Sequence, residues 1–241
     1  MTFHSTRLDG FSSQAHTPVT SAQVTAVVPA QPVDYMDESK MYRRVVKRAL
    51  DITLVMLALP LVLPLVVLMA LAIFLQDGGN PFYLQSRVGR NGRAFRMWKL
   101  RTMVTDADTR LQAYLQANPD ARAEWTKDQK LKRDPRITGL GRILRKCSLD
   151  ELPQLLNVLL GDMALVGPRP MMLDQQDMYH GKAYFRLRPG VTGFWQISDR
   201  NECRFQDRVR FDEAYDRSLS LITDVAVLFR TVAVIVRGTG Y

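Results

Sequence analysis

Arg145-Lys146-Cys147-Ser148-Leu149-Asp150-Glu151-Leu152-Pro153-Gln154-Leu155 sets two adjacent carboxylates directly behind a basic pair. Two local readings compete for it. Ser148-x-x-Glu151 has the form of a capping box, and acids in a first turn suit the helix dipole. Pro153 then falls beyond the positions where proline is comfortable, whereas Asp150 as the N-cap places it inside the first turn. On either reading the stretch is the mouth of a helix that runs from Leu155 to Leu160 and stops at Gly161-Asp162. A carboxylate there, flanked by cations, is expected to hold a low pKa and stay ionised. Such a group can attack phosphorus while its neighbour binds a cation such as Mg2+.

The surrounding segments supply cations on stiff or close-packed backbone. Upstream, Gly139 to Lys146 reads as a short helix with Arg142, Arg145 and Lys146 spaced to share one face. Downstream, Val166-Gly167-Pro168-Arg169-Pro170 is rigid, because each proline also restricts its predecessor. A guanidinium held there loses little entropy on gripping a phosphate, although a plain surface turn fits too. Arg186-Leu187-Arg188-Pro189-Gly190-Val191-Thr192-Gly193-Phe194-Trp195-Gln196 repeats the theme. Its glycines permit close approach of a substrate, and its aromatic pair suits stacking, the membrane interface or the core.

Ile52 to Leu75 is apolar apart from Thr53 and the prolines, long enough to cross a bilayer core. A single spanning helix is the default reading, and a buried core helix is a third. Two features favour a re-entrant path. Pro60 and Pro64 each remove a helix hydrogen bond near the middle, and basic residues crowd both ends. Arg43, Arg44, Lys47 and Arg48 precede the run, and Arg87, Arg90, Arg93, Arg96, Lys99 and Arg101 follow it. Positive flanks belong in the cytoplasm, so a helix that enters, kinks and returns satisfies both.

The rest of the chain reads as ordinary scaffold. Residues 1–40 mix Ser, Thr, Gln, Ala, Val and Pro without a period and read as a disordered tail with no signal peptide. Phe82 to Gln85, a Gly89…Asn91-Gly92 turn and Phe95 to Arg101 predict a β-hairpin, with Phe95, Met97 and Lys99 on one face. Lys99 and Arg101 then either line a solvated face or reach a phosphate. Residues 105–131 read as helix divided at Asn118-Pro119-Asp120, and Leu219 to Val236 as an amphipathic helix, packed or interfacial. The expectation is thus an α+β fold: residues 41–78 a Pro-kinked re-entrant membrane helix, and 79–241 a mostly helical cytosolic domain with a short β-hairpin and interfacial amphipathic helices. A net charge of +9 calls for an anionic partner. Two cysteines without CxxC spacing exclude a disulfide framework and argue against a metal site built on them.

Lys99-Leu100-Arg101-Thr102-Met103, Ser148 to Leu155, Gly161-Asp162-Met163, Val166 to Pro170 and Arg188 to Gly193 occur here in an order that resembles the bacterial sugar transferase family. These are the monotopic polyprenyl-phosphate phosphoglycosyl transferases, and the resemblance covers about residues 43–241. The region from Asn118 to Trp125 and the ending Arg237-Gly238-Thr239-Gly240-Tyr241 look most like the short exopolysaccharide-initiating galactose phosphotransferases. The resemblance implies a catalytic dyad of Asp150 and Glu151. Asp150 would attack the β-phosphate of a UDP-sugar, release UMP and hold a phosphosugar until undecaprenyl phosphate takes it. It also implies Mg2+ at the dyad and phosphate contacts from Arg145 and Arg169, which join Lys99 and Arg101 as the substrate-binding candidates. Asp212 matches a family acid whose role the sequence does not give. The family kinks its re-entrant helix at Ser-Pro; here the pair is Leu63-Pro64, without the hydroxyl. The implied location is the cytoplasmic face of the bacterial inner membrane, with galactose or glucose as the sugar and a homodimer as one assembly. The rival from another class is a membrane-tethered protein that binds anionic lipid or nucleic acid, and no nucleic-acid motif supports the latter.

Overall fold

A computed structural model describes residues 41–128, 131–198 and 205–236. The tail read at residues 1–40 and the ending from Arg237 lie outside them, as does Cys203. Within them the chain is mostly helical.

The longest element is α1, Lys47–Asp77, entered through a π-helical turn at Tyr42–Val46 and ended by Gly78 in the left-handed region. Both Pro60 and Pro64 lie inside it, and the helix carries through them. It is the one described helix long and apolar enough to cross a membrane.

Both ends of α1 dock on the same body. Near its start, Asp51 accepts the Leu165 N–H at 3.3 Å and Val55 packs with Met97, Val158 and Met163. Near its end, Met69, Ala70 and Ile73 pack with Leu100 and Leu144. Between these contacts Leu57, Leu61, Leu63, Val67, Leu68 and Leu71 are exposed. An apolar helix buried along only part of its length, at both ends, is not an ordinary core helix.

Strands β1, Phe82–Val88, and β2, Ala94–Leu100, pair antiparallel through the turn at Arg90–Gly92, where Asn91 takes a φ of 58°. The hairpin read from the glycine and asparagine positions is present, with both strands covering seven residues. Helices α2, Ala107–Ala117, and α3, Pro119–Asp128, divide at Asn118-Pro119 as expected, and bury Leu111, Leu115 and Ala121 against each other. Helix α4, Gly139–Lys146, is capped by Thr138, whose hydroxyl accepts the Gly141 N–H at 2.9 Å. After it come α5, Gln154–Leu160, and strand β3, Ala164–Val166. A single turn of helix follows, α6 at Ala183–Arg186, then β4, Gly190–Thr192. Helices α7, Arg208–Ser218, and α8, Leu221–Val236, close the described chain.

The hydropathy pattern did not predict the pairing of β3 with β4, which is parallel. Three residues per strand are too few to display a period of two. Its glycines explain the fit: a Cβ on Gly190 would collide with the Gly167 backbone, and one on Gly193 with the Gly167 carbonyl. These glycines were expected to admit a substrate; instead they let the two turns pack backbone against backbone.

Helix α8 buries Val227 and Asp224 and exposes Ile222, at 81%, and Phe229, at 74%. Asp224 is the acceptor at the centre of a buried knot. Tyr42 donates to it at 2.6 Å, Tyr215 at 2.6 Å and Lys47 at 2.7 Å. The knot ties the start of α1 to α7 and α8. Phe194 and Trp195 are core residues, edge-on to Tyr215 and Phe211.

Candidate active site

The two carboxylates do not cap a helix. Leu149–Glu151 forms a 3-10 turn, and α5 starts after it with Pro153 at its N-cap. Ser148 makes no capping bond and takes φ 54°, ψ 23°, a left-handed conformation unusual for a residue with a Cβ. This bend turns the chain sharply out of α4 and delivers Asp150 and Glu151 to the strand β2 side. Asp150 is buried and Glu151 is partly exposed.

Burial reverses the expected direction of the Asp150 shift. Desolvation pushes its carboxyl above the ordinary range, and the neighbouring Glu151 charge adds to the rise. Lys99 and Arg145 oppose it without overcoming it. The expectation of a low pKa rested on a helix N-terminus that the turn does not supply. The group is a carboxyl held in a dry place, which raises its basicity although two cations stand beside it.

Lys99 comes from β2, where Phe95 and Met97 on the same face enter the core. Its ammonium donates to Glu151 Oε1 at 2.7 Å. Arg145 is aimed inward by its Nε bond to the Thr102 hydroxyl, 2.8 Å. That contact needs α4 close to the chain after β2: Thr138 N–H donates to the Thr102 carbonyl at 3.1 Å, and a Cβ on Gly141 would strike that carbonyl. Arg142 and Lys146 share the helix with Arg145 but stay exposed.

The other residues singled out from the sequence divide. Arg101 leaves the dyad and grips Asp77 at the end of α1 with two bonds, at 2.8 and 2.5 Å. Arg169 stands half-buried on its proline-flanked turn, close enough to Arg87 and Arg208 to destabilise their charges. Asp212 is buried and accepts the Tyr179 hydroxyl at 2.9 Å. Burial lifts its carboxyl to about 7 against the pull of that bond and of Arg208.

Several residues that shape the site carried only a weak signal in the sequence. Asn157 is fully buried in α5. Its amide donates to the Arg96 carbonyl at 2.8 Å and accepts the Trp98 N–H at 3.0 Å, completing the open edge of β2. An asparagine inside an apolar helix was the available clue. Arg208 stands four residues before Asp212 on α7, a spacing that puts the two charges on one face.

The bacterial sugar transferase family model matches residues 42–238. The chain belongs to this family. This sugar transferase chain is 45% identical over 204 residues to the undecaprenyl-phosphate galactose phosphotransferase of Salmonella typhimurium, covering 84% of the chain and 43% of that protein. It is 43% identical over 196 residues to the exopolysaccharide production protein ExoY of Rhizobium meliloti, covering 80% of the chain and 87% of that protein. At 34% over 215 residues it is similar to the UDP-glucose:undecaprenyl-phosphate glucose-1-phosphate transferase of Escherichia coli, covering 85% of the chain and 43% of that protein. The chain thus spans less than half of several curated relatives and most of ExoY.

Proposed function

We propose that this chain transfers a hexose-1-phosphate, galactose or glucose, from a UDP-sugar to undecaprenyl phosphate, and so initiates an exopolysaccharide or surface glycan. The observation that carries this reading is the buried Asp150 carboxyl beside the Lys99–Glu151 pair and Arg145, in a body whose α1 and α8 expose apolar faces. Family membership and the names of its relatives supply the substrates.

In the first displacement an Asp150 oxygen forms a bond to the β-phosphorus, and the bond from that phosphorus to the bridging oxygen breaks, releasing UMP. The product is an acyl phosphate that links Asp150 to the sugar phosphate. In the second, a phosphate oxygen of undecaprenyl phosphate attacks the same phosphorus and the Asp150 carboxylate leaves. One dry site then serves a soluble donor and a lipid acceptor in turn. Raised basicity makes Asp150 a better nucleophile, and Lys99 and Arg145 offset charge on the phosphoryl oxygens.

Asp150 and Glu151 would hold Mg2+. No third acid, His or Cys groups with them among the described residues, which suits an ion that takes one or two carboxylates and completes its shell from phosphates and water. When bound, the ion supplies neutralisation of the diphosphate.

For the anchor, the docking of both α1 ends on one body supports the re-entrant path, with the catalytic domain at the cytoplasmic face of the inner membrane.

The reading is tested with purified protein, Mg2+, undecaprenyl phosphate and a panel of UDP-sugars, following UMP release. UMP from one donor, abolished in Asp150→Asn, is the expected result. Full activity in that variant would remove Asp150 as the nucleophile. No UMP from any donor, with salt-sensitive binding to anionic vesicles, would leave a lipid-binding protein instead.

A further inference from the structure

Beside the dyad lies a second concentration of positive charge that the mechanism above does not use. Arg87 is the penultimate residue of β1, and its neighbour Val88 donates its N–H to the Met171 carbonyl at 3.0 Å, which lays the strand along the Arg169 turn. Val88, Met171, Tyr179 and Tyr184 form one core cluster, and Phe205 and Val209, on either side of Arg208, pack against it. Three guanidinium-bearing segments therefore converge on one patch of core.

Two of these guanidiniums are incompletely satisfied. Among the described residues, the buried Nε of Arg87 and the buried Nε and Nη1 of Arg208 have no hydrogen-bond partner. Arg87 does bond Gln85 Oε1 through Nη2, at 2.7 Å. Arg208 lies over the rings of Trp195 and Phe205, its central carbon 5.3 and 4.8 Å from their centroids. These contacts hold the planar group in place without using its N–H donors. Buried donors of this kind normally have partners, and none of the described residues supplies one to these three atoms. Asp212 faces Arg208, and Glu151 reaches Arg87 while bonding Lys99. Burial first, and then the Arg169 and Arg87 charges, lower the Arg208 guanidinium to about 10. A polyanion would relieve this repulsion.

We infer that Arg87 and Arg208, with Arg169 between them in charge, form a cradle for a phosphate oxyanion of one of the two phosphorylated substrates. This rests on the transferase reading for the identity of the substrate, though not for the existence of the site. The Glu151 carboxylate, felt by both Lys99 and Arg87, marks where the cradle meets the dyad. Arg87 and Arg208 are binding residues in this scheme: they contact a phosphate that is not the one attacked.

The experiment uses the full chain in detergent, with Arg87→Gln, Arg208→Gln and Arg208→Lys. Inorganic phosphate and UMP are expected to raise the unfolding temperature of the wild type, with the gain lost in both Gln variants. The KM for one substrate should rise at least tenfold, with a smaller change in kcat; Arg208→Lys should retain part of the binding. A rise for the UDP-sugar assigns the cradle to the nucleotide, and a rise for undecaprenyl phosphate assigns it to the lipid. Wild-type protein that neither gains stability from phosphate nor is inhibited by it competitively overturns the inference, even if the variants fail to fold. Folded Gln variants with both KM values within twofold of the wild type overturn it as well. Failure of the transferase reading looks different: no donor yields UMP, while phosphate still protects the wild type.

Discussion

Lys99 and Glu151, 52 residues apart in sequence, meet at 2.7 Å and couple the β-hairpin to the turn that carries Asp150. The pair is partly exposed, so its worth to stability is small. Its value is electrostatic, since the Lys99 charge is the largest influence opposing the effect of burial on Asp150. Replacing Lys99 by Met keeps the stem and removes the charge. UMP release should fall by about 100-fold, the scale for loss of one oriented electrostatic group. Thermal unfolding should hardly change, and an equal loss of both would mean the pair is mainly structural.

Asn157→Leu should cost about 2–3 kcal/mol, because the Trp98 N–H and the Arg96 carbonyl would lose their partner. For a chain of this length that is a drop of several degrees in Tm. A change under one degree would show that water replaces the amide.

Asp224→Ala should be the more damaging change, about 3–5 kcal/mol. It leaves the Lys47 ammonium, only slightly exposed, with Asp51 alone at 3.9 Å and takes the acceptor from the buried Tyr42 hydroxyl, while Tyr215 keeps the Val166 carbonyl at 3.1 Å. Tyr42→Phe, which removes one donor, should cost about 1 kcal/mol. Urea unfolding of the detergent-solubilised protein would rank the two.

Asp212 predicts a pH dependence of stability. Its carboxyl is raised from the ordinary range to about 7, so the folded state binds its proton more tightly than the unfolded chain does. Its contribution is complete below the unfolded value of about 4 and is lost as pH climbs through about 7. Asp212→Asn should flatten the stability curve across that window. An unchanged slope would show that Asp212 is ionised throughout.

Ser148 offers a test of local strain. Ser148→Gly should relieve the left-handed φ and stabilise the fold by up to about 1 kcal/mol. If the bend also aims the dyad, kcat should drop while KM holds.

Elements with a strong local signature were readable in advance. The Asn-Gly hairpin, the Pro119 break, the glycine stop of α5 and the apolar α1 each follow from one or two residues acting on their own neighbours. What escaped the sequence depends on tertiary contact. The burial that raises the Asp150 carboxyl, and the Lys99 and Arg145 charges beside it, come from distant parts of the chain, which no local pattern encodes. The β3–β4 pair is visible only once Gly167 and Gly190 touch. Arg101 and Arg145 look alike as basic residues near apolar runs. One is taken by Asp77 and the other is turned inward by Thr102.

Arg48, near the start of α1, donates to the Val158 and Leu159 carbonyls, the second at 2.9 Å, where α5 ends. Helix α5 is the element that follows the dyad, so Arg48 ties the start of the apolar helix to the element behind Asp150. A shift of α1 up or down would lift or sink Asp150 with it. If the proposed transfer takes place at a bilayer, its thickness becomes a control on turnover, set by acyl-chain length rather than by any ligand: in vesicles of graded lipid length, the rate should peak at one thickness and fall on both sides.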